Sequence, residues 1–224
     1  MIHLMSEKWV SLDTSEPIWK RVFMIAPLAV VGTREEDGYD LAPKHMITPM
    51  GFDNYFGFVC TPSHGTYQNI EAYGEFTVSF PRPDQTLITS LSAAPRQAGI
   101  SKTDQVINSL PTCRASEVDA LYLEQSYLMF ECKHYKTIDG FGRNSLITGT
   151  ILHAFVDPDY LRVSEQDEQQ LLNENPLLAY VAEGRFARVA ETYHFPFPKG
   201  FKRLIPRSKY QKTFRPGSTP VRTP

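Results

Sequence analysis

The sequence contains few cysteines, and its cysteines and histidines lack the spacings that usually bind a metal. Among its 224 residues are three distant cysteines, Cys60, Cys113 and Cys132, and six scattered histidines. No C-x-x-C pair and no H-E-x-x-H motif occurs, so no metal site is expected. An odd number of distant cysteines is typical of reduced thiols, and we therefore expect a cytoplasmic protein.

The chain also lacks a long apolar run and a strong overall charge. No segment has the length and apolar character of a membrane-spanning helix, and the first ten residues are too polar for a signal peptide. The formal net charge is -2, which gives no indication of nucleic-acid binding. We therefore expect neither a membrane nor a nucleic-acid partner.

Nucleotide-binding and hydrolase motifs are absent as well. The sequence has no P-loop, no G-x-G-x-x-G and no G-x-S-x-G. A hydrolase triad is not excluded, but no nucleophile stands in a typical context. A bound cofactor that carries the chemistry reduces the number of catalytic side chains required. The absence of motifs therefore favours a cofactor-dependent reaction.

What is present is a series of strand-like segments in a chain that is 42% hydrophobic. Five or six strands are predicted, mostly joined by turns or short helices, and residues 45–54 are expected to be irregular. The main strand predictions are 22–33, 39–44, 55–61, 75–80, 126–138 and 145–157. Because long βαβ crossovers are missing, the pattern indicates an all-β or α+β fold, an antiparallel barrel with short peripheral helices.

Four short helical segments are predicted, at residues 67–73, 84–92, 102–108 and 164–175. The third lies in a polar connection, residues 94–116, and the fourth ends before Pro176. The expected N-caps are Thr66, Asp84 and Ser164, since short polar side chains satisfy the first amides of a helix. Gly74 has the position of a left-handed residue that ends a helix.

The last 24 residues form a basic segment. Residues 201–224 contain seven basic side chains, four prolines and no acid. This composition predicts a single domain, residues 1–200, followed by a surface arm, residues 201–224. An alternative is an arm that crosses to a partner subunit or screens a bound anion.

The segment Ser63-His64-Gly65-Thr66 follows a strand and opens a helix. The first amides of a helix have no partner within it, and the helix dipole favours an anion at this end. Ser63 and Thr66 add hydroxyl donors, His64 can add charge, and Gly65 permits a close approach to the backbone. Ordinary capping is the alternative explanation.

Two neighbouring segments also bear on whether this region binds an anionic ligand. Lys44 and His45 are polar residues in an apolar stretch, LAPKHMITPM, which is either an exposed loop or the edge of a site for a phosphorylated heterocycle. The strand FGFVCT ends just before the helix. It is either a core strand or a source of backbone donors for a flat ring.

These segments, in this order, resemble the flavin reductase-like family, whose members bind FMN on a split β-barrel. The resemblance covers residues 22–157 and is carried by PLAVVGTREEDGYDLAPKHMITPM, FGFVCTPSHGTYQNIEAYGEFTVSF, FECKHYKTI and LITGTILHAFVD. It implies an FMN-binding oxidoreductase that transfers hydride from NAD(P)H to flavin, and a homodimer with the cofactor near the interface. The alternatives are a non-catalytic electron carrier that holds FMN and a barrel that binds something else.

The resemblance also implies a role for each candidate residue. His153 is placed near a second substrate, the alternative being a half-buried strand histidine, and Cys60 is expected to pack rather than to react. The remaining positions are implied to surround the cofactor in four groups. They are Thr33 near the phosphate or ribityl chain, Lys44, His45 and Met46 at the isoalloxazine edge, Val59, Cys60 and Thr61 at the pyrimidine, and Ser63, His64, Thr66 and Asn69 at the phosphate.

The sequence departs from the family at two places. Asp40 stands where members usually have asparagine, and His64-Gly65-Thr66 stands where many have Lys-Asp-Thr. The second change removes a permanent positive charge from the expected phosphate position. His64, Lys44 and the basic arm are the candidates to replace it.

Overall fold

A computed structural model describes residues 9–162, 168–182 and 184–200 of the chain. The chain divides into two compact units, Met1–Thr192 and Tyr193–Pro224. In the second unit the described residues, 193–200, have no regular secondary structure and end in a turn. The predicted arm, residues 201–224, and the predicted cap Ser164 lie outside the described residues.

The described part of the first unit contains twelve β-strands, which form three sheets. The strands are β1 (Ile25–Pro27), β2 (Ala29–Glu35), β3 (Gly38–Lys44), β4 (Ile47–Pro49), β5 (Tyr55–Cys60), β6 (Glu75–Phe80), β7 (Thr112–Arg114), β8 (Leu121–Leu123), β9 (Leu128–Phe141), β10 (Asn144–Val156), β11 (Leu177–Val181) and β12 (Arg185–Val189). A seven-stranded sheet has the order β3-β2-β6-β9-β10-β5-β4, a three-stranded sheet the order β1-β11-β12, and β7 pairs with β8.

The pairings between these strands are antiparallel. This arrangement confirms the predicted antiparallel split barrel with short helices. The longest pairing is the hairpin of β9 and β10, where Phe141 stands opposite Asn144 across a two-residue turn. This turn was predicted from the sequence DGFGRN.

Two strand predictions were wrong. Residues 22–33 are not one strand, because the chain leaves β1 at Leu28 and enters β2, and the two strands join different sheets. Residues 45–54 are not wholly irregular, because β4 pairs with β5 and so closes one edge of the large sheet. Short strands with few alternating residues give little signal in sequence, so the predicted number of strands was too low.

Buried side chains form two hydrophobic clusters. The first fills the barrel and includes Phe58, Phe76 and Ile147, all of them fully buried. The second lies on the other side of β2 and β3 and includes Leu41 and Ile107. Ile107 belongs to the segment that the sequence presented as a polar connection, so this segment covers a core instead of only linking two elements.

Four α-helices are found in the described residues: α1 (Gly65–Tyr73), α2 (Thr86–Leu91), α3 (Lys102–Gln105) and α4 (Glu168–Glu174). Gly74 follows α1 with φ 73°, which confirms its predicted left-handed conformation. Asp84 does not cap α2. It lies in a short 3-10 turn, Pro83–Gln85, in which the Gln85 side chain accepts a hydrogen bond from the Arg82 amide. None of the described helices is long and apolar enough to cross a membrane.

Candidate functional site

A small cavity lies where the β3–β4 connection meets the end of β5 and the start of α1. Its volume is about 190 Å³. The structure brings seven of the predicted site residues to this cavity, together with two that the sequence did not single out. The lining residues are Pro43, Lys44, His45, Met46, Val59, Cys60, Thr61, His64 and Asn144.

Backbone and side-chain hydrogen bonds hold the walls of this cavity together. The amide of Val59 donates to the carbonyl oxygen of Met46 at 2.9 Å, which fixes the β3–β4 connection against β5. The hydroxyl of Thr61 donates to Oδ1 of Asn144 at 3.0 Å. Asn144 was missed by sequence reasoning, and its position directly after the hairpin turn was the only signal for it.

Lys44 supplies the positive charge of the cavity. Its Nζ lies 3.5 Å from the Sγ of Cys60, and no carboxylate in the described ranges lies within ion-pair distance of it. Partial burial lowers the pKa of both His45 and His64, and the charge of Lys44 lowers each pKa further. Both imidazoles are therefore mainly neutral at pH 7, so His64 is a poor replacement for a permanent charge.

The start of α1 differs from the prediction. Thr66 is not the N-cap; the helix begins at Gly65, His64 has the N-cap conformation, and no described side chain caps this end. Thr66 is instead almost fully buried, 2% exposed. Cap preferences favour threonine over histidine, but here packing places the threonine inside the first turn. The uncapped amides leave this helix end able to bind an anion.

Thr33 on β2 and Asn69 on α1 lie where the helix contacts the strand. The Asn69 amide nitrogen donates to the Thr33 hydroxyl at 2.9 Å and to Oε1 of Glu35 at 3.3 Å. Thr33 is 1% exposed. These contacts hold α1 on β2, and neither residue lines the cavity.

A second cation, Arg96, stands against the first residue of α1. A Cβ atom added to Gly65 would lie 2.7 Å from Nη2 of Arg96. Arg96 forms an ion pair with Glu35, and its Nη2 lies 3.4 Å from Oδ2 of Asp40. Sequence reasoning missed Arg96, because it follows α2 in the segment that was treated as a polar connection.

Asp40, the departure from the family pattern, is a buried partner of two cations. Lys102 Nζ lies 2.6 Å from Asp40 Oδ1 and donates a hydrogen bond to the carbonyl oxygen of Leu41 at 2.8 Å. Both side chains are almost fully buried, with 5% exposure for Asp40 and 6% for Lys102. A carboxylate at this position is accommodated because α3 brings an ammonium group to it.

A larger and mainly apolar cavity, of about 520 Å³, shares His45, Met46 and Val59 with the small one. The His45 ring stacks on Tyr180, with ring centres 4.5 Å apart and an angle of 28° between the planes. Trp19, which is far from Tyr180 in the sequence, lines the same cavity. Sequence reasoning identified neither Trp19 nor Tyr180, since both lie outside the strands of the large sheet.

Like Thr33, Thr66 and Asn69, the candidates Ser63 and His153 line neither cavity. Ser63 is exposed in the turn before α1. His153 is exposed on β10, where its ring faces Phe155 at 6.0 Å between ring centres. The structure therefore does not bring His153 to the other candidates.

The lining fits a ligand with a flat apolar part and an anionic part. The large cavity offers apolar and aromatic surface, and the small one offers Lys44 beside the uncapped end of α1. A flavin with a phosphorylated side chain has both parts. Within the described residues, no group of three or more metal-binding side chains occurs.

Comparisons with known proteins agree with the fold. Among solved structures, the chain is similar to flavoredoxin from Methanosarcina acetivorans, with 17% identity, a TM-score of 0.67, and coverage of 86% of this chain and 97% of that chain. It is also similar to an FMN-binding protein from Thermus thermophilus, with 20% identity, a TM-score of 0.63, and coverage of 77% and 91%.

A third similar structure is the 2-nitrobenzoate 2-nitroreductase of Pseudomonas fluorescens, with 19% identity, a TM-score of 0.64, and coverage of 80% and 88%. At these identities the structures show a shared fold. No match is found among curated proteins. The model of the flavin reductase like domain matches residues 21–183, well over half of the chain, and supports a flavin-related redox function. The protein therefore belongs to the flavin reductase-like family.

Proposed function

We propose that the protein is an FMN-dependent oxidoreductase of the flavin reductase type, with NADH or NADPH as the hydride donor. The observation that carries the proposal is the pair of adjoining cavities, one apolar and one cationic, at the uncapped start of α1. A bound flavin supplies the redox chemistry, because its ring accepts a hydride and passes the electrons on.

The residues of the small cavity bind and orient the cofactor in this proposal. Lys44 and the amides at the start of α1 attract the phosphate. The Lys44–Met46 segment and the Val59–Thr61 strand end border the ring edge, with the Thr61 hydroxyl held by Asn144. Backbone donors at such an edge stabilise negative charge that develops on the ring during reduction.

Thr33 and Asn69 act as positioning residues. Their mutual hydrogen bond fixes the register of α1 on β2 and so fixes the direction of the first helix amides. Thr66 packs beneath the same turn. Ser63, exposed just before it, remains free in this arrangement to approach a phosphate. His153 has no role in this mechanism.

A homodimer is part of the same proposal. The large cavity is lined by two exposed apolar side chains, Ile25 (76% exposed) and Met24 (48%), and Phe23, next to Met24 in the sequence, is 78% exposed. A continuous apolar surface beside a binding site is typical of a protein interface. We assign this surface to a second copy of the chain, which also covers the open side of the cavity.

Binding and turnover are tested separately. Purified protein is titrated with FMN, FAD and riboflavin while flavin fluorescence is followed, and tightest binding is expected for FMN. The FMN complex is then mixed anaerobically with NADH and with NADPH in a stopped-flow instrument. Loss of the oxidised-flavin absorbance supports the reductase. Binding without reduction by either nucleotide supports the electron carrier, and failure to bind any flavin contradicts both.

A further inference from the structure

We propose that Arg96 is the residue by which this protein recognises the phosphate of its flavin. The inference rests on the proposed function and deepens it, since it adds one specific side chain to Lys44 and the helix amides as a source of the preference for a phosphorylated flavin over riboflavin. Arg96 thus takes the place of the permanent positive charge that is missing before α1.

The first argument is position. The guanidinium stands against Gly65, and a Cβ at Gly65 would meet three of its atoms within 3.3 Å. Gly65 is the first residue of α1, at the end that no described side chain caps. An anion that accepts hydrogen bonds from the first amides of α1 therefore comes within reach of Arg96. Glycine at position 65 leaves the space that the guanidinium occupies.

The second argument is the charge balance around Arg96. Nη2 of Arg96 lies 3.4 Å from Oδ2 of Asp40, but this buried carboxylate has a closer cation, Lys102, at 2.6 Å. Glu35 takes hydrogen bonds from Nη1 and Nη2 of Arg96. A guanidinium has five N–H donors, so donors remain for a further acceptor. The Arg96 side chain is 44% exposed, so a ligand from solvent has access to it.

The third argument is orientation. Glu35 contacts both Arg96 and Asn69, and Asn69 contacts Thr33. This chain of contacts ties the guanidinium to the same helix whose amides face the anion. The two groups therefore keep a fixed relative position. Fixed donors lose little freedom when they bind, which favours a bidentate contact with phosphate.

Charge on the other flank of the helix end comes from Lys44, which is near enough to His64 to lower its pKa. Lys44 lies in the cavity, whereas Arg96 lies against Gly65. Arg96 and Lys44 thus approach the helix end from different elements. The contribution of Arg96 to phosphate recognition is therefore separable by mutation.

The test compares two ligands that differ only by the phosphate. Dissociation constants of FMN and riboflavin are measured for the wild type and for Arg96→Gln. The ratio of the riboflavin constant to the FMN constant is expected to fall about tenfold or more in Arg96→Gln, because a charge-assisted contact is lost. Riboflavin affinity itself is expected to stay unchanged. Raising the salt concentration should reduce the wild-type ratio more than that of the variant.

Arg34→Gln is the matched control. Arg34 lies over the ring of Tyr73, at the other end of the same helix, with 5.1 Å to the ring centre. Its loss is expected to leave the ratio unchanged. Arg96→Lys keeps the positive charge but loses the two parallel N–H donors of the guanidinium, so we expect a smaller fall in the ratio than in Arg96→Gln. If Arg96→Gln does not fold, Arg96→Lys tests the inference instead.

The outcomes are distinct. An unchanged ratio in a folded Arg96 variant overturns the inference while the proposed function stands. Equal affinity of the wild type for FMN and riboflavin also overturns it. A wild type that binds neither flavin contradicts the proposed function, and the inference falls with it.

Discussion

The ammonium group of Lys44 lies 3.5 Å from the thiol sulfur of Cys60, in the wall of the small cavity. This contact places a positive charge beside two histidines, and the charge lowers the pKa of each in addition to the effect of partial burial. The electrostatics of the site thus depend on Lys44, which the sequence had already indicated as a candidate source of positive charge.

Replacing Lys44 is expected to change the titration of these histidines. In Lys44→Gln, the pKa values of His45 and His64 should rise, because a positive neighbour no longer opposes protonation. They should stay below the ordinary histidine value, since burial, the larger cause, remains. Histidine ring signals followed by NMR against pH measure both values. Lys133→Gln, an exposed lysine on β9, is the control and should leave them unchanged.

Glu131 is expected to support the fold. It is fully buried, and its carboxylate accepts hydrogen bonds from the amides of Ser116, Glu117 and Val118 and from the Ser116 hydroxyl. Burial alone would raise its pKa, but these hydrogen bonds lower it overall. Glu131→Gln should reduce the free energy of unfolding by on the order of 2 kcal/mol at pH 7.

The pH dependence of that loss has a definite sign. Because the folded-state pKa of Glu131 is lowered, its contribution is present above the ordinary glutamate pKa and disappears as pH falls through the lowered value. Urea unfolding at neutral and acidic pH should therefore show a smaller difference between wild type and Glu131→Gln in acid. Glu117→Gln, at an exposed position in the same loop, is the control. An equal difference at both pH values would contradict this account.

Gly65→Ala should separate helix stability from phosphate recognition. Alanine favours a helix more than glycine does, but its Cβ would lie 2.7 Å from Arg96 Nη2 and force the guanidinium to move. We expect an unchanged or slightly higher melting temperature and a weaker preference for FMN over riboflavin. Gln68→Ala, on the exposed side of α1, should keep the preference. Retention of the preference in Gly65→Ala would indicate that Arg96 does not contact the phosphate.

The proposed dimer surface is tested by a charge placed on it. Ile25→Glu should shift the molar mass in light scattering from that of a dimer towards that of a monomer, because a desolvated carboxylate without a partner is costly. Leu87→Glu, at a similarly exposed leucine on α2, should keep the dimer mass. A wild type that is already monomeric would overturn the assignment of this surface.

The sequence predicted the large sheet well where alternation is long, as in the β9–β10 hairpin. It failed where an element is defined by its partner. Three-residue β4 has no pattern of its own and exists because β5 pairs with it. Thr66 was assigned as a cap from residue preference, whereas its burial under the first turn depends on tertiary packing.

The candidate site, like the fold, was predicted only in part from the sequence. Seven positions that are near in sequence, around Lys44, Cys60 and His64, do line one cavity. Arg96, Tyr180 and Trp19 reach the site or its neighbourhood through long-range folding, and no local spacing indicates that. Conversely, His153 matched a strand position, but the strand carries it away from the cavities.

The buried pair of Asp40 and Lys102 has a consequence for how the sequence evolves. Lys102 without Asp40 would leave an uncompensated charge in the interior, which costs about 3–5 kcal/mol, whereas Asp40 without Lys102 would keep only Arg96, 3.4 Å away. The two positions are therefore expected to change together: a homologue with asparagine at position 40 should have no lysine at position 102. Exchanging only Asp40 for asparagine should destabilise the fold, and a second exchange of Lys102 for methionine should restore much of the loss.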